Sequence, residues 1–314
     1  MLRNKTETEP CQPILKVPLR TSSPLRYPGG KGGLAKLFST ILKLNNLVGC
    51  QYYEPFAGGA GLALRLLFDN LVSELFLNDA DPYIYAFWVS ALKEAERFAA
   101  RILGVPLNIE EWRFQQSIFL NPSAHPVFDV GFATFYLNRC NRSGILASAG
   151  PIGGYLQNGK WRLNARFNRD NLAARILKLE RYRDGIHIYN LDAIDFLKSH
   201  LGGVHNKQEP FIYLDPPYYS AGRRLYFNYY KERDHKALAA FILKQRYFKW
   251  IMTYDDTIFI RQLYNSCNKH LLSLHYSLQS KTKAWEILIS PHYVLVPDKS
   301  MLTSAKINMR YIKI

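Results

Sequence analysis

The sequence predicts an α/β protein, a mostly parallel sheet with helices on both faces, split by a basic and mainly helical insert. Three observations point there. Short apolar runs alternate with amphipathic stretches towards both ends of the chain, the order that builds parallel sheets. Glycines or an acid stand directly after several of those runs. Between about residues 105 and 182 the alternation lapses into a stretch rich in Asn, Arg, Gly and aromatics.

Residues 1–23 are polar and proline-containing, lack an apolar signal core, and read as a flexible tail. Gln51–Phe56 reads as a strand running into Ala57–Gly61, followed by a helix over about Leu62–Phe68. The strand Leu75–Leu77 ends at Asn78-Asp79, and Pro82 suits the first turn of a helix reaching towards Ile102. In the insert only Val127–Leu137 and Leu172–Leu179 are periodic. Ser143–Gly159, with five glycines and a proline, reads as loop. The rhythm resumes with strand Ile186–Tyr189, helix Ala193–Ser199 and strand Phe211–Leu214. Helix Asp234–Lys244, strand Trp250–Thr253 and helix Ile258–Leu263 come next, then strands Leu271–Leu278 and Trp285–Ile289. The simplest account is one α/β domain, 24–104 with 183–314, carrying an insert at 105–182.

At 314 residues, 48% hydrophobic, the chain can bury a full core, and no run approaches the roughly 18 apolar residues of a membrane span. Cys11, Cys50, Cys140 and Cys267 are isolated, which favours a reduced, cytoplasmic setting and argues against a zinc site. Charge is more telling. The net +16 is concentrated: Gly131 to Arg183 holds ten basic residues against Asp170 and Glu180. A polyanion is the natural partner, because each neutralised phosphate releases counterions.

Three motifs carry chemistry. Asp215-Pro216-Pro217-Tyr218 follows the apolar run Phe211–Leu214. There Asp215 can accept a hydrogen bond from an exocyclic amine, the Pro216 carbonyl is a second acceptor, and Tyr218 offers a face for stacking. Gly58-Gly59-Ala60-Gly61 lies between a strand and a helix, where glycines admit close backbone approach. Asp79 ends the next strand, 21 residues after Gly58, a place where an acid accepts from ribose hydroxyls, so an adenosine-containing cofactor is implied. Leu64 stands where a dinucleotide fingerprint would want a third glycine, which weakens a nicotinamide or flavin reading. Upstream, Tyr27-Pro28-Gly29-Gly30-Lys31 sets an aromatic and a cation around a tight turn without P-loop spacing. Each motif alone also reads as an ordinary turn.

In this order the three motifs resemble the Dam-like DNA adenine methyltransferases, which transfer a methyl group from S-adenosylmethionine to adenine's exocyclic nitrogen. Phe135–Arg139 with Asn141–Gly144, and Ala165–Asn168, look like that family's DNA-recognition region. Leu225–Asn228, Asp234-His235, Met252–Asp255 and Trp285–Ile289 look like its later catalytic motifs. The resemblance implies a Rossmann-like methyltransferase sheet with an inserted recognition domain. It implies that Tyr27, Lys31, Gly58, Gly59, Gly61 and Asp79 hold S-adenosylmethionine. Asp192 falls where the family often has an acid near the cofactor's adenine, although its flanking residues match poorly. Asp215, Pro216, Pro217 and Tyr218 would grip the target base, with Asp215 also beside the cofactor. The Ser143–Gly154 stretch departs from that of GATC-methylating members, so their target is not inherited.

Arg139, Arg142, Lys160, Arg162, Arg166 and Arg169 are candidates for phosphate or base-edge contacts, and Arg223 and Arg224 for holding the flipped strand. His235 is expected to be structural. Double-stranded DNA is the expected partner, a cognate restriction endonuclease a further candidate, and the chain is expected as a monomer or weak dimer. Two alternatives stay open: amino-methylation of cytosine, RNA adenine or a protein glutamine, and a non-catalytic DNA-binding relative. The only Pro-Cys pair, Pro10-Cys11, precedes every cofactor motif, which argues against cytosine-ring methylation.

Overall fold

The computed structural model describes residues 23–26, 31–201, 209–220, 230–275, 283–304 and 311–313. Tyr27, Arg223, Arg224 and the stretch Leu225–Asn228 lie outside them.

A 3-10 turn, Lys31–Leu34, leads into α1 (Ala35–Leu44), a helix the sequence reading did not include. Then come β1 (Cys50–Glu54), α2 (Gly61–Phe68) and β2 (Val72–Asn78). The helix expected from Pro82 to Ile102 is instead two, α3 (Pro82–Lys93) and α4 (Ala95–Gly104), broken where Glu94 leaves helical geometry at φ −129°, ψ 45°. The break lets the halves take different partners, α3 against a later helix of the insert and α4 against another.

The segment 105–182 holds three helices, α5 (Ile109–Leu120), α6 (Val127–Cys140) and α7 (Arg169–Glu180), with turns and short 3-10 segments between α6 and α7. Helix α5 was also not expected. Its start is fixed by Asn108, whose side chain accepts from the Glu111 amide at 2.8 Å. Gly131 of α6 meets α3 so closely that a Cβ there would lie 2.4 Å from the Ala86 carbonyl. Buried residues of α3 to α7 belong to the same apolar cluster as α1 and one face of the sheet.

The chain returns through β3 (Ile186–Tyr189), α8 (Ala193–Leu201), β4 (Phe211–Leu214), α9 (Glu232–Ile242), β5 (Lys249–Asp255) and α10 (Ile258–Leu263). Strands β6 (Asn268–His275) and β7 (Lys283–Ser290), helix α11 (Lys299–Ser304) and strand β8 (Tyr311–Lys313) complete it. The sheet has eight strands in the order β3-β2-β1-β4-β5-β7-β6-β8. The first five are parallel, while β7, β6 and β8 run antiparallel.

This is a Rossmann-like α/β sheet, and its connectivity positions the site. From β1 the chain builds outward to β2 and β3, then returns to build β4 and β5 on the other side. Adjacent strands β1 and β4, paired Tyr52 to Phe211 and Tyr53 to Ile212, therefore send their following loops to opposite faces. The crevice beyond the carboxyl ends of such a pair is where open α/β sheets bind ligands. Strand β4 is wholly buried, as a central parallel strand covered on both faces must be. Phe38 of α1 meets Tyr213 edge-on at 4.8 Å, while Ile212 and Leu214 pack with Leu238 and Ile242 of α9. Among the described residues no helix is long and apolar enough to cross a membrane.

Candidate active site

The turn after β1 and the acid after β2 are tied together by hydrogen bonds. Gly58 has φ 46°, a left-handed geometry that suits glycine, and its amide donates to Asp79 Oδ2 at 2.8 Å. The Asp81 amide donates to Asp79 Oδ1 at 2.9 Å, and Trp88 Nε1 donates to the Gly58 carbonyl at 2.9 Å. Burial pushes the Asp79 carboxyl up to about 7 against the pull of those two amides. Buried Asn78 joins three strand ends: its side chain donates to the carbonyls of Pro55 and Leu191 at 3.0 Å each and accepts from the Leu191 amide at 2.9 Å. Asp192 is exposed beyond β3 and accepts from the Ile194 amide at 2.8 Å. Tyr230, edge-on to Phe56 at 5.6 Å, is raised above the ordinary tyrosine range by burial and then by Asp192, Asp234 and Asp79. Asp79 and Asp192 thus face one aromatic patch.

Beyond β4 lies the second half of the site. Thr253 Oγ1 of β5 donates to Asp215 Oδ1 at 2.8 Å, and Tyr213 OH lies 2.7 Å from the same hydroxyl. Lys31 Nζ lies 2.8 Å from Asp215 Oδ2, donates to Tyr218 OH at 2.8 Å, and is 3.4 Å from Glu286 Oε1. Tyr218 OH also donates to Glu286 Oε1. The Lys31 side chain is only 4% exposed, so its partners decide whether it can stay charged there. Burial, foremost, and the Asp215 charge push Glu286 up to about 7, while Lys31 pulls it down. Glu54 at the end of β1 is fully enclosed and held well above the usual carboxylate range by burial and by Asp215. Asp255 accepts from the Tyr219 amide at 2.9 Å and the Ser220 amide at 2.7 Å, which fixes the turn that ends the clamp.

The two halves meet at the first turn. Gly32 and Gly61 lie in contact, with a Cβ on Gly32 falling 3.6 Å from the Gly61 carbonyl oxygen. The Gly58–Asp79 group and the Lys31–Asp215–Tyr218 group therefore adjoin at neighbouring strand ends. Lys31, assigned to the cofactor by resemblance, has its ammonium at the clamp. Thr253, Asp255 and Glu286 fall in the segments that resemble later catalytic motifs but were given no individual role there, and Glu54 was given none. His235 is buried, 2.7 Å from Tyr254 OH through Nδ1, as a structural histidine should be.

A family model for the D12 class N6 adenine-specific DNA methyltransferases matches residues 27–278. The chain belongs to this family. No curated protein sequence matches it. Among solved structures it is similar to the rRNA methyltransferase aviRa from Streptomyces viridochromogenes, with a TM-score of 0.40 and 15% identity over 85% of this chain and 88% of that one. It is also similar to a DUF519 protein from Legionella pneumophila, with a TM-score of 0.33 and 10% identity over 91% and 97% of the two chains.

The arginines of this adenine-specific methyltransferase divide by environment. Arg142, Lys160, Arg162 and Arg166 are exposed. Arg169 is a correction: its guanidinium donates to the carbonyls of Ile102 at 2.7 Å, Leu103 at 2.9 Å and Val105, closing the end of α4 rather than standing free for a phosphate. Arg139 is buried in α6 with Nε unpartnered, and burial with neighbouring Arg175 and Arg26 pushes its pKa down. Asn138 accepts from the Arg26 amide at 2.7 Å and donates to the carbonyls of Arg26 at 2.8 Å and Gly144 at 3.0 Å. Of the segment Ala165–Asn168, Phe167 is core and Asn168 caps α7 by accepting from the Asn171 amide at 2.9 Å.

Proposed function

We propose that the enzyme methylates the exocyclic amine of an adenine flipped out of duplex DNA, using S-adenosylmethionine. The observation that carries the reading is the placement of Asp215 beyond β4 and the Gly58–Asp79 pair beyond β1 and β2, across one switch-point crevice. The residues fit that cofactor. Asp79 spends two acceptor sites on amides and keeps others for ribose hydroxyls, and the largely buried Gly58–Gly61 turn has no side chains at 58, 59 and 61 to hold a ligand off its backbone. Asp79, Asp215, Glu286 and Glu54 stand near the single cation Lys31, and a bound cationic sulfonium would favour the ionised forms of the three whose burial pushes them up, Asp79, Glu286 and Glu54. When bound, the cofactor supplies a methyl group already activated for transfer.

The chain's own residues then have one task, to make the amine nucleophilic. Its lone pair is delocalised into the purine ring. Asp215 and the Pro216 carbonyl accept the two amine hydrogens and draw the nitrogen towards tetrahedral geometry. These acceptors strengthen as positive charge develops on nitrogen, so they stabilise the transition state above the ground state. Carboxylates titrate near about 4 in model peptides and are too weak to deprotonate a neutral amine, so the proton leaves after the nitrogen has become cationic. Flipping costs a few kcal/mol, and stacking on Tyr218 returns about 1–3 kcal/mol. Residues 105–182 are read as the target-recognition insert, with exposed Arg142, Lys160, Arg162 and Arg166 meeting phosphates or base edges.

Incubation with methyl-labelled cofactor and DNA, RNA or protein, followed by sequencing for modified adenine, tests this. N6-methyladenine in duplex DNA is expected at a defined site. Label in RNA or protein alone would overturn the DNA reading.

A further inference from the structure

We propose that Glu286 is a positioning residue that takes Lys31 from Asp215 when the target amine enters the clamp, an inference that rests on the adenine-methylation reading above. Both oxygens of Asp215 already carry a donor: Thr253 on Oδ1 at 2.8 Å and the Lys31 ammonium at Oδ2 at 2.8 Å. Each oxygen keeps a further lone pair for the incoming amine, but a carboxylate paired with an ammonium is a poorer acceptor, so Asp215 grips the amine more strongly once Lys31 has moved to another anion. An ammonium makes the stronger, charge-assisted bond and is not displaced by a neutral amine unless another anion receives it.

Glu286 is placed to do so. Its Oε1 is 3.4 Å from the same ammonium, and its Oε2 is buried with no hydrogen-bond partner. Buried acceptors are rarely left unmade, and this one lies where a slightly displaced Lys31 would bond. Tyr218 OH touches both Lys31 and Glu286, so it bridges the two positions. The cation stays paired throughout, which a side chain 4% exposed requires. The hand-over frees Asp215 Oδ2 for the amine and makes occupation of the clamp conditional on substrate.

The groups facing Glu286 are Lys31 from the first turn, Tyr213 of β4, Asp215 and Tyr218 after it, and Asp255 directly opposite in β5. Glu54 of β1 faces Lys31 and Asp215. Only ionised Glu286 can receive a cation, and burial with the Asp215 charge pushes its carboxyl up to about 7.

The test is single-turnover methyl transfer into duplex DNA by the full chain from pH 5.5 to 8.5, with wild type, Glu286→Gln and Glu286→Asp. Wild type should gain about tenfold per pH unit below about 7 and then level, as a rate tied to one ionised carboxylate does. Glu286→Gln keeps the shape and a partner for Tyr218 but should lose that limb and run about tenfold or more slower at pH 8. Its affinities for DNA and cofactor should stay within about twofold. Glu286→Asp should recover part of the rate and the limb. A flat wild-type profile, or Glu286→Gln with wild-type rate and limb, would overturn the inference. If Glu286→Gln does not fold, Glu286→Asp at saturating cofactor decides, and a wild-type rate and an unshifted limb in that variant would overturn the inference. Absence of any methyl transfer to DNA by wild type would overturn the underlying reading, and this inference with it.

Discussion

Replacing Asp215 by Asn keeps the outline of the clamp and removes one negative charge. An amide oxygen can still accept from Thr253, which donates to Oδ1 at 2.8 Å. The amide NH2 would instead confront Lys31, which now lies 2.8 Å from Oδ2. Removing one preorganised charge-stabilising group costs about 2.7–4 kcal/mol of transition-state stabilisation, or about 10²–10³ in rate. The stability cost is smaller than for an isolated buried pair, where breaking one partner costs about 3–5 kcal/mol. Glu286 remains 3.4 Å from Lys31. Its carboxyl is held up partly by the Asp215 charge, so it ionises more readily once that charge is gone. We therefore expect about 1–2 kcal/mol, and a melting temperature lower by roughly 1.5–3 °C for a chain of 314 residues. Single-turnover methyl incorporation, DNA titration and thermal melting measure the three quantities. A rate within about threefold of wild type would refute the clamp, because no preorganised charge would then have been removed. A melting drop beyond about 5 °C would show that Lys31 depends on Asp215 alone.

Tyr218→Ala should reduce turnover more than Tyr218→Phe or Tyr218→Trp, and Tyr218→Phe should still lose something because the hydroxyl bonds Lys31 and Glu286; equal losses in all three would exclude stacking. Asp79 is pushed up to about 7, so cofactor affinity measured by calorimetry should weaken as pH falls from 8 to 6, and Asp79→Asn should be weak and flat over that range. The folded protein holds that proton more tightly than the unfolded chain, so the contribution of Asp79 to stability declines as pH rises from about 4 to about 7. Arg162→Ala and Arg166→Ala should each reduce the salt dependence of DNA binding by about one unit of slope. Arg169→Ala should instead leave that slope unchanged and cost about 1.5–3 kcal/mol of stability through the lost bonds to the end of α4.

Much of the fold was legible because short buried runs bounded by breakers carry their own limits. Ile186–Tyr189, Phe211–Leu214 and Ile258–Leu263 were placed residue for residue. Helix α5 escaped notice because its inward face carries Gln115 among Ile109, Trp112 and Phe119, which blurs the apolar period. Asn108 with Glu111 three positions later was the signal available for its start. The break at Glu94 leaves no Pro or Gly to announce it and follows from how α3 and α4 pack. In the site, Asp215 and Asp79 were legible because each directly follows a strand, and Gly58 because it lies in the short turn between β1 and α2. Thr253 and Glu286 lay in segments resembling later catalytic motifs, but their individual parts were not legible, since Thr253 reaches Asp215 and Glu286 reaches Lys31 and Tyr218 only through the pairing of β5 with β4 and of β7 with β5. A single acid inside Trp285-Glu286-Ile287-Leu288-Ile289 was nonetheless a hint, because a carboxylate in a buried strand must find company.

Asn138 treats Arg26 as a neighbouring strand would, taking its amide hydrogen and giving one back to its carbonyl. The segment leading to Lys31 is thereby stitched to α6, the second helix of the insert proposed above as the reading head. Grafting another relative's head onto this body would cut that stitch, so exchanges of specificity should succeed only when residues 23–26 travel with it.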